Sequence, residues 1–334
     1  MSAHGFSESV AGSSHAGPRE SNQDSYAVAS NEGGDVVLLV VADGVGGQLG
    51  GELASSAVTQ HVRERFHDEI VTGGREPDRS WLESLFESSK NAVIERTERS
   101  EAPGLSPKTT LVVAVIVGRR LLVAHVGDSR IYRLDERALT PLTTDHSMVA
   151  EFAKREGISE DEAAQLYGKN VITRALGVRE SVAVDYRLLK VSPGQVFVMC
   201  SDGLCGYVED IEIFEVANRA RKSTDHIVND LIQMANDRGG PDNVTVIAFE
   251  IKEVGESNYN DLEPATLPEE SDELLAIEDG WVRRLQDYEA AQTEKTVGPT
   301  GSDGSGKSKT WMGLIFAVFV VVAIALIYFL AGSD

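Results

Sequence analysis

Seven consecutive apolar residues, Val36 to Ala42, run directly into the polar pair Asp43-Gly44. A short apolar run closed by a turn signal predicts a buried strand. Glu52 to Phe66 then takes up helical spacing. Trp81 to Glu98, apolar at Trp81, Leu82, Leu85, Phe86 and Val93, predicts a second helix. Leu111–Val117 and Arg120–Val126 read as a hairpin about Gly118-Arg119, and Ile131–Leu134 continues the sheet. Met148 to Tyr167 is charged and helical in spacing, Val184–Leu189 and Gln195–Cys200 return to strand, Ile211–Arg221 and His226–Arg238 predict helices, and Val244–Ile251 a closing strand. Strands and helices come in clumps rather than in strict alternation. That predicts an α+β fold of antiparallel sheets with helices on their outer faces, not a parallel doubly wound sheet.

The pattern changes after residue 251. Residues 252–310 are acidic, proline-containing and rich in glycine and serine, the composition of a flexible linker. Within them Leu274, Ile277, Trp281, Leu285 and Tyr288 recur near helical spacing, so 271–292 reads as a helix that packs on the domain, docks a partner or lies at the membrane interface. Met312 to Ala331 is a run of twenty residues without a charge. As a helix it spans about 30 Å at ~1.5 Å per residue, the thickness of a bilayer core. Trp311 and Tyr328 lie near its ends and Lys307 and Lys309 before it. The predicted organisation is a globular domain over 1–251, an acidic linker over 252–310 and a transmembrane helix over 311–331. The flanking lysines place the domain on the cytoplasmic side of a cell membrane crossed once.

The formal net charge of -22 excludes a nucleic-acid backbone as the natural partner. The two cysteines, Cys200 and Cys205, share one short stretch, too few for a structural zinc site and too close for a disulfide to be expected. Gly301 to Ser308 satisfies the phosphate-loop pattern, but neither a strand nor a supported helix flanks it, and a flexible linker explains it better. Gly44 to Gly51 fails the dinucleotide-loop spacing, and the seven histidines contain no paired metal motif and are taken as structural or surface.

The candidate chemistry lies in the aspartates. Asp24, Asp43, Asp128, Asp202 and Asp242 each occupy a short polar or glycine-flanked turn beside an apolar segment, in the texts R-E-S-N-Q-D-S, V-A-D-G-V-G-G, V-G-D-S-R, C-S-D-G-L and G-P-D-N-V-T. Carboxylates beside a core are costly unless paired, hydrogen-bonded or on a metal. If these converge, they make an all-oxygen site suited to Mg²⁺ or Mn²⁺, and Gly44 lets a backbone carbonyl approach an ion without a side chain in the way.

These five turns, in this order, resemble the signature of the PP2C (PPM) family of metal-dependent serine/threonine phosphatases, bacterial type. The resemblance runs from about Arg19 to Glu250 and includes T-T-L at Thr109 to Leu111, T-D-H-S at Thr144 to Ser147 and I-T-R-A-L-G at Ile172 to Gly177. It implies a four-layer αββα sandwich with a two-metal centre at one end. Asp43 would bridge both ions, with the Gly44 carbonyl on the second. Asp202 and Asp242 would hold the first, and Asp24 would sit in its water shell. Asp128 with Asp202 would hold a third, weaker ion, Arg19 would grip the substrate phosphate, and Met148 to Val171 would form a flap. A water between two divalent ions becomes a nucleophile near neutral pH, so no covalent enzyme intermediate is needed. Val45 stands where many eukaryotic members carry a histidine, which leaves the general acid unassigned, and Gln23 stands where some have glutamate. The implied partners are phosphorylated proteins, a serine/threonine kinase working in the opposite direction, and membrane lipid; a monomer is expected. The rival reading is a catalytically silent adaptor of the same fold, which loss of Asp43, Asp202 or Asp242 would have favoured.

Overall fold

The computed structural model describes residues 9–251 apart from 46–47, 101–105, 136, 168–170, 179–180 and 222. The linker 252–310, its helical stretch 271–292 and the transmembrane run 311–331 lie outside the described residues. Among the described residues no helix is long and apolar enough to cross a membrane.

Two antiparallel sheets form the centre. One follows the order β1-β11-β10-β7-β8, built from Val10–His15, Val244–Glu250, Val196–Cys200, Arg130–Leu134 and Leu139–Pro141. The other follows β2-β3-β5-β6-β9, built from Asp24–Ser30, Val36–Val45, Leu111–Val117, Arg120–Val126 and Asp185–Lys190, with the two-residue β4 (Lys108–Thr109) also pairing with β3. Strand β3 shows why its sequence is apolar without alternation. Val37, Leu39 and Val41 point into the layer between the sheets, against Ile131, Phe197, Met199, Ile247 and Phe249. Val36, Leu38, Val40 and Ala42 point the other way, into a second core with Ala54, Val58, Trp81, Leu85 and Phe86. An antiparallel sheet covered on both faces loses the in–out alternation of a half-exposed one.

That second core is closed by α1 (Gln48–Arg65), which continues as a π-helical turn over Phe66–Thr72, and by α2 (Arg79–Arg99). Asp78 caps α2 by accepting the Trp81 N–H at 2.7 Å. Over the other sheet lie α6 (Asp210–Arg219), started by a Glu209–Glu212 capping box, and α7 (Thr224–Asp237), capped by Ser223, after the short α5 (Asp202–Cys205). Sheets inside and helices outside are what the clumped pattern predicts.

Three local expectations are corrected. The predicted helix over Met148–Tyr167 is two helices, α3 (Met148–Glu156) and α4 (Glu160–Tyr167). Gly157, at φ 67°, ends α3 in the left-handed conformation that glycine adopts without strain. Strands β1 and β2 were not expected in the polar, glycine-containing first thirty residues. β1 owes its place to pairing with β11 from Val10↔Phe249 to His15↔Val244, and Gly12 leaves room for the Tyr26 ring, whose hydroxyl donates to the Gly12 carbonyl at 3.0 Å. Strand β8 also went unread, being only three residues long. Cys200 and Cys205 are both free thiols, as expected.

Candidate metal centre

All five aspartates arrive at one end of the sandwich because the strands are antiparallel. Asp24 opens β2 and stands opposite Asp43 near the end of β3. Asp128 follows β6, Asp202 follows β10, and Asp242 precedes β11, whose Val246 is level with Cys200. Asp24 is buried, and its Oδ2 accepts the Ser201 hydroxyl at 2.6 Å and the Thr245 hydroxyl at 2.7 Å. Thr110 Oγ1 accepts the Asp43 N–H at 2.9 Å and pairs with Ser129 Oγ at 2.8 Å, so one hydroxyl joins the Asp43 strand to the Asp128 turn. Thr109 donates to the Asp43 carbonyl at 2.9 Å. Gly44 is required by space: a Cβ there would meet the Gly51 carbonyl oxygen at 2.2 Å and that of Gln23 at 2.7 Å.

Arg19 is exposed at the rim. Its guanidinium donates to the Pro241 carbonyl and pairs with Asp242 Oδ2 at 3.1 Å. Asn243 holds the loop that carries it. The Asn243 amide donates to the carbonyls of Ala16 and Ser21, both at 2.9 Å, and its oxygen accepts the Gln23 N–H at 2.8 Å.

The electrostatics are lopsided. Burial, then the neighbouring charges of Asp24 and Asp202, pushes Asp43 well above the carboxylate range. Burial raises Asp24 to about 7 against the pull of its two hydroxyl donors, with Asp202 and Asp242 adding to the rise. Asp128 rises to about 7 through burial and the charges of Asp202 and Asp145. Asp202 rises too, from burial first, although Asp43 hydrogen-bonds to it. Arg130 pulls Asp128 down less than burial, Asp202 and Asp145 raise it, its guanidinium being held by both oxygens of Asp145 at 2.8 and 2.7 Å. Carboxylates in this state ionise together only when positive charge enters among them. An all-oxygen donor set with that deficit fits Mg²⁺ or Mn²⁺, waters filling the positions the protein leaves open.

A different trio has tighter ligand geometry. His125, His146 and Asp185 bring their ligand atoms within 4.8 Å of one another, the single such group of three among the described residues. It does not suit a metal. Arg174 Nη1 already lies 3.0 Å from Asp185 Oδ1 and 3.1 Å from His146 Nε2. The Gly127 N–H donates to His146 Nδ1 at 3.1 Å, so the neutral ring carries its proton on Nε2, where a metal would bind. A guanidinium fills this cluster, whereas the aspartates have Arg19, exposed at their rim and held by Asp242.

Every aspartate expected from sequence therefore lies at the same end, with Gly44 next to Asp43 and Arg19 at the edge. Sequence reasoning missed the supports: Thr110, Asp145, Ser201, Asn243 and Thr245. The signal was partly visible, since Thr110 and Asp145 lie in two of the quoted landmarks and Ser201 and Asn243 adjoin predicted ligands.

A two-sheet sandwich ending in a cluster of buried carboxylates is the class of site that takes divalent cations. Residues 11–244 match the family model of protein phosphatase 2C. The chain is 31% identical over 233 residues to the serine/threonine phosphatase stp of Listeria monocytogenes, covering 70% of this chain and 91% of that one. It superposes with a TM-score of 0.64 on the Mycobacterium tuberculosis serine/threonine phosphatase PstP/Ppp, at 30% identity over 73% of this chain and 98% of that one. The catalytic domain of PstP in complex with two manganese ions is likewise similar, at 30% identity, a TM-score of 0.61 and coverage of 73% and 98%. The chain belongs to the protein phosphatase 2C family and is a metal-dependent phosphatase of that type.

Proposed function

We propose that this chain hydrolyses phosphoserine and phosphothreonine esters in proteins at the aspartate end of the sandwich, on the cytoplasmic face of a membrane. The observation that carries the reading is the group of buried carboxylates at one end of the sandwich, four of them held above their ordinary range although Arg19 pairs with Asp242 at the rim. Asp43 and the Gly44 carbonyl would hold divalent ions together with Asp202 and Asp242, Asp24 would hold water beside them, and Asp128 with Asp202 would hold a further, weaker ion. Bound divalent ions supply Lewis acidity toward water and the phosphate oxygens. Arg19, exposed and tied to Asp242 through one side of its fork, can turn donors toward a phosphate at the rim. Ser201 and Thr245 hold Asp24 in one orientation, and Thr110 does the same for the Asp43 backbone. Val45, exposed beside Gly44, carries no proton, so leaving-group protonation falls to water.

The uncharged run Met312 to Ala331 supports a single-pass tether, the acidic linker gives the domain reach along the membrane, and the reaction class supports a serine/threonine kinase as the opposing enzyme. The test is phosphate release from a phosphothreonine peptide by the full-length chain, with and without Mn²⁺. Metal-dependent release that Asp202→Asn removes is the expected outcome; none from folded, Mn²⁺-loaded protein would overturn the reading. Fractionation of cells carrying the chain with and without residues 311–334 tests the tether, the intact chain being expected with the membranes.

A further inference from the structure

Strand β9 is the last strand of its sheet, so one of its edges meets β6 and the other is open. Its register with β6 runs from Arg120↔Lys190 to His125↔Asp185, and the Val191 N–H donates to the Arg119 carbonyl at 2.9 Å in the same register. Hydrogen-bonded pairs recur at every second residue of an antiparallel ladder. Asp185, Arg187 and Leu189 therefore turn their backbone groups toward β6, whereas the N–H and carbonyl groups of Tyr186 and Leu188 face the open edge. Such a row of outward backbone groups is a template for an added strand.

The edge borders an open cleft of about 330 Å³ between β9 and the segment that follows β8. Val123 and Leu142, both core residues, line it where it meets the layer between the sheets, and Val184 lines the β9 side. The cleft also carries Arg187 and Arg79, whose guanidinium stands 5.0 Å over the Tyr186 ring. Arg119 and Lys190, both exposed, continue the positive charge along the strand toward the hairpin. The carboxylates beside the cleft are engaged: Asp185 with Arg174 at 3.0 Å, and Glu83 with Arg79 Nε at 2.9 Å. In a chain of formal net charge -22, this is a local reversal of sign.

Charges on an edge strand ordinarily guard it against pairing. Here they flank a cleft with apolar walls, where an extended segment carrying acidic side chains finds both backbone partners and countercharge. The cleft lies toward the aspartate end of the sandwich. Asp185 is level with His125, three residues before Asp128, a separation of about 10 Å at ~3.3 Å per residue.

We propose that the open edge of β9, with Arg79 and Arg187, is a docking surface for an extended acidic segment of the phosphoprotein substrate, held as an added strand while the phosphorylated residue reaches the aspartates. The inference rests on the hydrolysis of phosphoproteins proposed above. Backbone pairing sets the segment's register, and the guanidinium groups select Glu and Asp side chains.

The test uses the full-length chain in Mn²⁺ and two phosphothreonine peptides. One carries a tail of alternating valine and glutamate about six residues from the phosphothreonine, far enough at ~3.3 Å per residue to span the gap. The other carries glutamine in place of each glutamate. The acidic peptide is expected to have a KM about tenfold lower at similar kcat, the scale of one charge-assisted contact. Arg187→Glu should erase that difference and leave turnover of p-nitrophenyl phosphate unchanged. Equal KM values for the two peptides in the unaltered chain, or a difference that survives in Arg187→Glu, would overturn the proposal.

Hydrogen exchange reads the surface independently of catalysis. Without peptide, the Tyr186 and Leu188 amides should exchange fast while those of Arg187 and Leu189 are slow. The acidic tail alone, without phosphate, should slow Tyr186 and Leu188 in the unaltered chain and not in Arg187→Glu. Slow exchange at both residues before any peptide is added would mean that another part of the chain covers the edge, and would also overturn the proposal. Slowing by the acidic tail in a chain that releases no phosphate from either peptide or from p-nitrophenyl phosphate would sink the hydrolase reading, and with it the assignment of the bound segment to a substrate.

Discussion

Two clusters of ligand-type side chains meet at the Gly127–Asp128 turn, and they balance charge in opposite ways. The His125–His146–Asp185 trio has the tighter geometry, yet Arg174 sits inside it and two backbone groups fix the ring protons. The aspartates are more widely spread, yet burial and mutual repulsion hold four of them above their ordinary range. Converging ligand atoms are therefore a poor guide to where a cation goes. A missing positive charge, in a place that cannot take up enough water to do without it, is the better one.

The comparison can be broken hardest at Asp202. Asp202→Asn should lower Mn²⁺-dependent phosphate release by about 10²- to 10³-fold, the scale of losing one preorganised electrostatic group. The same substitution should raise the melting temperature of the metal-free protein, because it removes a carboxylate whose ionised form is disfavoured by the fold. A drop in both would mean that Asp202 is a structural partner rather than part of a cation site.

Removing metal comes next. Asp24 and Asp128 stand at about 7 in the fold, raised from 3.8. The folded protein therefore keeps protons that the unfolded chain loses. Their contribution is most favourable below the unfolded value and is lost as pH rises toward 7. Melting curves in a chelator should accordingly shift downward between pH 5 and 7.5. Mn²⁺ at a hundredfold excess over its dissociation constant should return about 2.7 kcal/mol.

The histidine cluster should show the reverse slope. Burial lowers His125 from 6.5 to about 4, and the Thr144 carbonyl at 2.9 Å from Nε2 only partly opposes this. That group's stability contribution is complete above pH 6.5 and declines as pH falls toward 4. Between pH 7 and 5 the loss should be about 2 kcal/mol, and His125→Gln should flatten it in urea midpoints measured at both values.

The smallest effect should come from Asp185→Asn. Asp185 is half exposed, and although burial alone would raise its pKa, His146 and Arg174 together lower it. Screening leaves a loss of about 0.5–1 kcal/mol, opposite in sign to the metal-free gain at Asp202 and readable in the same melts.

Much of this molecule could be read from its residues in order. The apolar runs gave the central strands, because a strand buried on both faces has no polar position to hide its length, as β3 shows. The helices were legible where an apolar stripe of several turns existed, as in α2. Gly157 was visible too, but a charged helix on either side outweighed it in the pattern, and the break between α3 and α4 was missed. β1 and β2 could not be read, because small and polar residues form a strand there only when β11 and β3 supply the partners.

The chemistry divides in the same way. The five aspartates were each marked by a local turn, and a turn is a sequence-local event. That they lie at one end follows from antiparallel pairing, which brings the start of β2, the end of β3 and the start of β11 together across more than two hundred residues. Their supports depend wholly on that pairing: Thr245 reaches Asp24, Asn243 reaches Ala16 and Ser21, and Thr110 reaches Asp43 only once the strands have aligned. The difference between the two clusters is also tertiary. Sequence supplies the number of charges, but the distance from a guanidinium to a carboxylate decides which of them are already neutralised.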